Sequence, residues 1–227
     1  MSPKALVLGV GPGLGMSIAR RFAGEGYEIA LVSRSARRHE AYLAELPGAR
    51  AFACDVRDSA QLASTVDEVG PVDVVYYGPG ATDLSEAPED ITATTPELAR
   101  AAMEWLYPAV DVVQRVLPAV VERGGGLLFA GGLSAVRPMP MLGSLALSGA
   151  ALRNYALTLN AALADKGVYA GTLTIGGLVE RGDIHQAVRA DPGRFGEVRT
   201  LDPDAIADTA WQMFVKRDRA EEVFSVF

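Results

Sequence analysis

Short apolar runs of strand length alternate along this chain with longer stretches whose apolar residues recur at helical spacing. The strand-like runs are Ala5–Leu8, Glu28–Val32, Ala51–Cys54, Val72–Tyr76, Leu127–Ala130, Gly171–Ile175 and Glu222–Val226. The helix-like runs are Gly15–Ala23, Arg38–Leu46, Ser59–Val69, Pro96–Glu122, Leu142–Lys166 and Pro203–Lys216. Strands that are apolar almost throughout are typical of a parallel sheet that helices cover on both faces. The alternation therefore predicts an α/β fold built on a doubly wound parallel sheet of about seven strands.

The size and charge of the chain narrow the classes of function. Its 227 residues suit one domain, which we expect to span residues 1–227. The net charge of −7 argues against nucleic acid as a partner. Cys54 is the only cysteine, which fits a reducing compartment. The run Ala5–Leu8 is too short for a signal peptide, and no apolar run approaches the roughly 20 residues of a membrane span. We therefore expect a cytoplasmic protein without a membrane partner.

A glycine-rich turn, G-V-G-P-G-L-G, follows the first predicted strand and opens the first predicted helix. Its spacing is G-x-x-x-G-x-G through Gly9, Gly13 and Gly15, with Leu14 between the last two. Glycines in this position let the backbone approach a pyrophosphate, whose oxygens then meet the amides at the helix start. The turn predicts a dinucleotide-binding site.

The residues that end the second predicted strand indicate which dinucleotide is bound. A carboxylate at this strand end would hold the two ribose hydroxyls of NAD and repel a 2′-phosphate, but the chain has Ser33 here. Arg34 and Ser35 follow directly, and a guanidinium pairs strongly with a phosphate. The sequence therefore predicts NADP(H) as the cofactor. We interpret Arg37 and Arg38 as the solvated start of a helix.

Two further strand ends complete the predicted nucleotide site. Asp55, beside Val56, is placed to accept a hydrogen bond from the adenine amino group, although it could instead cap the helix that follows. The small residues Gly78, Pro79 and Gly80 would let the cofactor pass over the sheet edge.

Together these motifs resemble the short-chain dehydrogenase/reductase family. The matching features are the glycine turn, Asp55-Val56, the segment Asp73–Gly80 in the place of the family's D-V-L-V-N-N-A-G, Leu117-Pro118, Gly126-Leu127-Leu128, and Gly149–Leu152 in the place of K-A-A-L. The resemblance covers essentially the whole chain. It implies a Rossmann-type domain, a nicotinamide cofactor, reduction of carbonyls or oxidation of alcohols, and a dimer or tetramer. We expect a homodimer or homotetramer formed through the fourth and fifth predicted helices.

The catalytic tetrad that the resemblance implies is absent. The family's asparagine, serine, tyrosine and lysine fall at Trp105, Gly132, Leu145 and Gly149. Leu145 cannot exchange a proton and Gly149 cannot tune a pKa, so the ordinary alcohol chemistry is unsupported. A pocket roofed by Trp105, Leu145, Met139 and Met141 would be apolar and would suit a small apolar molecule. Each methionine is alternatively a core or subunit-interface residue.

Three residues are candidates to replace the missing groups. Ser134 lies two positions beyond the missing serine, and Ser148 lies on the helix beside Gly149. His185 lies near Asp183 and Phe195 in residues 176–202, a long irregular stretch that we interpret as a substrate lid or as a variable surface loop. The other histidine, His39, is expected to be solvated. No cluster has the spacing of metal ligands.

Three functions remain open. The chain is an NADPH-dependent oxidoreductase acting on an activated acceptor, a non-redox cyclase, isomerase or dehydratase on the same scaffold, or a non-catalytic partner subunit that binds NADP.

Overall fold

A computed structural model describes residues 2–80, 88–191 and 199–226. Its strands are β1 (Lys4–Leu8), β2 (Glu28–Ser33), β3 (Arg50–Ala53), β4 (Val74–Tyr77), β5 (Gly126–Gly132), β6 (Tyr169–Gly176), β7 (Leu178–Val179), β8 (Thr200–Leu201) and β9 (Glu221–Ser225). Its helices are α1 (Leu14–Gly24), α2 (His39–Glu45), α3 (Ser59–Val69), α4 (Pro96–Met103), α5 (Tyr107–Glu122), α6 (Gly143–Leu163), α7 (Asp183–Ala190) and α8 (Pro203–Lys216).

Seven strands form one parallel sheet in the order β3-β2-β1-β4-β5-β6-β9. Leu6 of β1 is paired with Ala30 of β2 on one side and with Val75 of β4 on the other. The strand order therefore reverses between β1 and β4. In open α/β sheets, ligands bind in the crevice outside the carboxyl ends of the strands at such a reversal. The predicted Rossmann-type sheet is confirmed.

Alternate residues of each strand feed two separate cores, as the period of two in a strand requires. Leu6 and Leu8 belong to the core that α3, α5 and α6 cover, whereas Ala5 and Val7 belong to the core that α1 and α8 cover. Leu6 and Leu8 are fully buried, and burial of each such side chain stabilises the fold by roughly 1.5–3 kcal/mol. The sheet between the cores holds the strand ends that line the candidate site.

The fourth predicted helix is wrong as a single element. The structure ends α4 at Met103 and begins α5 at Tyr107. Pro108 explains the break, because proline has no amide hydrogen to donate to the carbonyl four residues earlier and so fits best in the first turn of a helix. Trp105 lies in the interruption, and its carbonyl is bonded to the end of β4. It accepts a hydrogen bond from the Tyr77 hydroxyl at 2.9 Å.

The irregular stretch predicted over residues 176–202 is also wrong in part. It contains the two-stranded parallel pair β7–β8 and the helix α7. Ile184 and Val188, four positions apart, supply the helical spacing, and Val188 is buried. Phe195 lies outside the described residues. Across the described ranges, no helix has both the length and the apolar character that a membrane crossing needs.

Candidate cofactor cleft and catalytic face

The glycine turn is held between the ends of β1, β2 and β4. Gly9 has a φ of +80° and donates its amide to the carbonyl of Val32 at 2.9 Å. A Cβ at Gly9 would lie 2.7 Å from the nitrogen of Pro79, so only glycine fits there. A Cβ at Gly15 would lie 2.8 Å from the Cα of Val10. α1 begins at Leu14 without a side-chain cap, and its first amides form the positive end of the helix dipole at this edge.

A cleft of about 420 Å³ opens at these strand ends. Eight of the predicted cofactor-binding residues line it: Gly9, Ser33, Arg34, Ser35, Val56, Gly78, Pro79 and Gly80. The structure adds lining residues that sequence reasoning did not assign to the cofactor, among them Gly11, Arg38, Tyr42, Trp105 and Asp183. Gly13 is packed elsewhere, because a Cβ there would lie 3.0 Å from the backbone of Gly182 before α7. The cleft therefore coincides with the predicted nucleotide site and extends to α7.

Ser33 and His39 form a pair inside this cleft, so the expectation that His39 is solvated is wrong. His39 is 8% exposed, and its Nε2 lies 2.8 Å from the Ser33 hydroxyl. The Ser33 hydroxyl donates to the carbonyl of Ser35 at 3.0 Å, so the His39 Nε2–H is the donor of the pair. Burial lowers the pKa of His39, which favours the neutral ring that this arrangement uses.

Arg38 is not the solvated residue that the sequence predicted. Its guanidinium forms a two-pronged ion pair with Asp183 of α7, with a Nη1–Oδ2 distance of 2.9 Å. Tyr42, one helical turn further along α2, is 7% exposed, and its hydroxyl lies beside the Arg38 guanidinium without forming a hydrogen bond of good geometry. Arg34 is exposed and lines the same cleft. Arg37, which is exposed, lines the cleft as well, so three arginines and Tyr42 surround the end of β2.

Asp55 is engaged by a neighbouring arginine. Its Oδ2 accepts a hydrogen bond from Arg57 at 2.7 Å, and this contact lowers the pKa of Asp55. The rival role as a helix cap is filled by Asp58, which accepts from the amides of Ala60 and Gln61. The guanidinium of Arg57 lies 5.0 Å from the centre of the Trp105 ring. Asp55 therefore connects to the wall of the cleft through Arg57, and its contact with adenine stays a prediction.

Two of the four positions to which the resemblance assigns the tetrad lie beside one hydroxyl. Ideal Cβ atoms at Gly132, where β5 ends, and at Gly149, on α6, would lie 3.7 Å and 3.8 Å from the Ser134 Oγ. Leu145 precedes Gly149 by one turn of α6, and Trp105 lines the cofactor cleft. Met141 is 60% exposed, which agrees with the interface alternative rather than a pocket roof. The structure therefore places Ser134 where the serine and lysine side chains of the resemblance would converge.

The other two candidates have structural partners. Ser148 is buried and donates its hydroxyl to the carbonyl of Leu145 in its own helix at 3.3 Å. His185 lies in α7, where its Nδ1 accepts a hydrogen bond from the amide of Arg181 at 3.2 Å. Neither residue lines the cleft. Both contacts favour a structural role.

Sequence reasoning missed a carboxylate at the start of α6. An Oε1 of Glu89 accepts hydrogen bonds from the amide of Ser144 at 2.8 Å and from the hydroxyl of Thr94 at 3.0 Å. Hydrogen bonds from the side chain and the amide of Ser144, with a smaller one from Thr94, lower the pKa of Glu89 to about 2. Glu89 lies 55 residues from Ser144, so no local motif indicated the pair.

A larger groove of about 690 Å³ lies along the edge strand β3, between Ala49 and Glu68. The pair Arg50–Glu68 spans it, and Arg50 lies 4.8 Å from the centre of the Phe52 ring. The groove is remote from the reversal of strand order, so the smaller cleft is the better candidate for a dinucleotide.

Similarity to known proteins agrees with this geometry. Residues 3–192 match the family model of the short chain dehydrogenases. D-threitol dehydrogenase of Mycolicibacterium smegmatis is 38% identical over 93 residues, which cover 37% of this chain and 36% of that protein. The 3-dehydrosphinganine reductase TSC10A of Arabidopsis thaliana is 29% identical over 131 residues, which cover 54% of this chain and 38% of that protein. The matches thus span less than two fifths of either relative.

Two solved structures share the fold at low identity. An NADPH-bound short chain oxidoreductase from Pseudomonas aeruginosa PAO1, which contains an atypical catalytic center, is 21% identical with a TM-score of 0.81, over 98% of this chain and 95% of that one. A 7α-hydroxysteroid dehydrogenase complexed with NADH and 7-oxo glycochenodeoxycholic acid is also 21% identical, with a TM-score of 0.82, over 99% of this chain and 92% of that one. The match of residues 3–192 to the family model establishes that this chain belongs to the short chain dehydrogenases, a family of oxidoreductases that use NAD(P)(H).

Proposed function

We propose that this chain is an NADPH-dependent oxidoreductase that acts on a small, largely apolar molecule with an activated acceptor and works without the usual tyrosine–lysine relay. The observation that carries the proposal is a contrast at one sheet edge. The cleft contains a glycine turn and three arginines, whereas the nearby face of α6 presents Leu145 and Gly149. The machinery for binding a phosphorylated dinucleotide is kept, and the groups for transferring a proton are not.

The residues of the cleft fit NADP(H). The turn and the uncapped start of α1 would hold the pyrophosphate. Arg34 and Arg38 would bind the 2′-phosphate, and the buried hydroxyl of Tyr42, which makes no well-aligned hydrogen bond, would give it a further donor. Val56 and Gly78 would border the adenosine and the path toward β5. When bound, the dihydronicotinamide supplies a hydride.

The residues around Ser134 suit an acceptor that needs no strong acid. A serine hydroxyl can donate a hydrogen bond to a substrate oxygen, but α6 presents Leu145 and Gly149, which cannot make it an efficient proton source. A cyclic iminium takes up hydride to give an amine without any proton. A conjugated enone takes hydride at its β-carbon, and the resulting enolate takes its proton from water. Both acceptors match a site whose polar group only orients the substrate.

The apolar face of α6 also favours a second function, a non-redox cyclase, isomerase or dehydratase that acts by positioning alone. A third function, a non-catalytic NADP-binding partner subunit, would use the same cleft. All three fit a cytoplasmic homodimer or homotetramer. Apolar side chains exposed on α4, α5 and α6 support such an assembly: Leu98, Tyr107, Val110 and Leu147. Size-exclusion chromatography with light scattering tests the assembly.

The functional test is transfer of deuteride from [4-²H]NADPH to a cyclic iminium, a conjugated enone and a saturated ketone. We expect the first two products to carry one deuterium, and we expect Ser134→Ala to slow reduction of the enone more than that of the iminium. Product formation without NADPH consumption would instead establish the non-redox function. No product together with tight NADPH binding would leave the binding subunit.

A further inference from the structure

We infer that Asp183 determines cofactor specificity: its carboxylate occupies the anion position on Arg38, and the 2′-phosphate of the cofactor must displace it, which releases the N-terminus of α7. The inference rests on the proposed binding of NADP(H) in the cleft. It assigns a role to α7. From the sequence, this region was interpreted only as a substrate lid or a variable surface loop.

The first step of the argument is the geometry of the ion pair. Both oxygens of Asp183 are bonded to the two terminal nitrogens of Arg38, with a Nη1–Oδ2 distance of 2.9 Å. This two-pronged arrangement is the one that a guanidinium also adopts with a phosphate. The side chains are 34% and 51% exposed, so an incoming anion can reach them. A phosphate bonded to Arg38 in this way would take the place of the carboxylate.

The second step is the hydroxyl of Tyr42. It lies on α2, four residues after Arg38, and sits beside the Arg38 guanidinium without forming a hydrogen bond of good geometry, although Tyr42 is only 7% exposed. A buried hydroxyl without a partner is costly and is expected to be satisfied by a ligand or water. A 2′-phosphate carries up to two negative charges and three acceptor oxygens, so it can bond Arg38 and Tyr42 together, whereas the carboxylate of Asp183 leaves the Tyr42 hydroxyl with only its poorly aligned contact with Arg38. The phosphate is therefore the better partner for this site.

The third step is the second attachment of α7. Arg181, directly before the helix, pairs with Asp204 of α8 at 2.7 Å and lies 3.3 Å from the hydroxyl of Ser17 in α1. Arg181 has a φ of +65°, the left-handed conformation that marks a sharp turn. Loss of the contact with Arg38 would leave this attachment in place. The helix would then have lost its contact at Asp183 but kept those of Arg181. Gly182, between the two residues, packs against Gly13 of the glycine turn.

The test compares NADPH and NADH in calorimetric titrations of the wild-type chain, Asp183→Asn and Tyr42→Phe. Asp183→Asn removes the competing charge, so we expect it to strengthen NADPH binding about three- to tenfold and to change NADH binding less than twofold. Tyr42→Phe is expected to weaken NADPH binding a few-fold and to leave NADH binding unchanged. Asp165→Asn, an exposed aspartate after α6, is the matched control and should change neither.

Hydrogen exchange supplies a readout that does not depend on affinity. We expect NADPH to increase exchange of the amides of residues 183–190, and NADH to leave it unchanged. Weaker NADH binding by Asp183→Asn, with NADPH unaffected, would overturn the inference, because Asp183 would then bind the ribose hydroxyl. Equal NADPH binding by wild-type and Asp183→Asn would overturn it and leave the proposed function standing. Failure of both cofactors to bind any variant would overturn both.

Discussion

The cofactor cleft and the catalytic face of α6 lie at the same edge of one sheet but differ in how their chemistry is supplied. In the cleft, polar side chains lie at the end of β2, where His39 holds Ser33, and glycine-rich turns follow the ends of β1 and β4. At α6, the helix contributes Leu145 and Gly149, and the adjacent polar group is the hydroxyl of Ser134. The comparison teaches that one sheet edge can carry a polar binding cleft and an apolar helix face side by side. A doubly wound sheet can keep its nucleotide end while its catalytic positions change freely.

The largest expected effect is a loss of stability when a glycine of the turn at the cofactor cleft is replaced. Gly9→Ala places a Cβ against the nitrogen of Pro79 and forces a non-glycine residue to a φ of +80°. We expect the free energy of unfolding to fall by about 2–4 kcal/mol, because the clash is with backbone and the left-handed conformation is itself unfavourable. Urea unfolding followed by circular dichroism measures it.

Gly11→Ala is the matched control for this change. A Cβ at Gly11 meets no atom within 4 Å, so its free energy of unfolding should stay within about 0.5 kcal/mol of wild type. Equal stability of the two variants would show that the turn tolerates side chains, which would remove the steric reason for its glycines.

A smaller effect is expected where α6 is tied to the sheet. Arg153 of α6 forms a two-pronged pair with Glu221 of β9 at 2.7 Å and 2.6 Å, and Thr174 of β6 donates to the same carboxylate. Glu221→Gln should lower the free energy of unfolding by about 1–3 kcal/mol, because it leaves a partly buried guanidinium without its charge partner.

Glu97→Gln, which breaks the exposed pair with Arg100, is the control and should cost less than about 1 kcal/mol. If the two substitutions cost the same, the catalytic face does not depend on this attachment.

A gain in stability is expected from a substitution at Gly149, the position that the resemblance assigns to the family's lysine. Gly149 lies inside α6, and a Cβ there would make only ordinary contacts, the nearest at 3.8 Å. Gly149→Ala should therefore raise the free energy of unfolding by about 0.5–1 kcal/mol, the usual penalty of glycine in a helix. Thermal unfolding measures the shift.

Gly143→Ala, at the start of the same helix, should destabilise, because its Cβ would overlap the carbonyl oxygen of Glu89. A loss of stability from Gly149→Ala would mean that the catalytic face is sterically closed, rather than merely lacking a lysine.

The smallest effect concerns the pH dependence of stability. The pKa of Glu89 is held at about 2, below the ordinary value of 4.5, by its donors at the start of α6. A lowered pKa stabilises the fold above the ordinary value, and this contribution is lost as the pH falls from about 4.5 toward 2.

The difference in unfolding free energy between wild type and Glu89→Gln should therefore shrink over that range. Urea titrations from pH 2 to pH 7 check this, with Glu40→Gln at the exposed start of α2 as the control. A constant difference across the range would show that Glu89 does not act through its charge.

The strand ends and the glycine turn could be predicted because their signals are local. Gly9, Ser33 and Gly78 each follow an apolar run directly, and parallel strands bring their carboxyl ends to one edge. The break before α5 has a local signal too, which is Pro108. The long apolar pattern around it nevertheless predicts an unbroken helix.

The remaining errors come from contacts between distant parts of the chain. Arg38 and Asp183 are 145 residues apart, so the residues next to Arg38 in the sequence indicated only a solvated helix start. His39 was misjudged because burial depends on how α2 packs against the end of β2, which no short pattern contains. The position of Ser134 between Gly132 and Gly149 likewise depends on how the turn after β5 meets α6.

Calorimetric titration of NADPH and NADH into the wild-type chain and Arg34→Ala tests the central claim most directly. If the nucleotide end is functional and selective, NADPH binds more tightly than NADH. Arg34→Ala then weakens NADPH binding roughly ten- to a hundredfold, the value of a charge-assisted contact of about 1.5–3 kcal/mol, while NADH is little affected. Failure of the wild-type chain to bind either dinucleotide, or equal binding of both that Arg34→Ala does not change, would contradict the account.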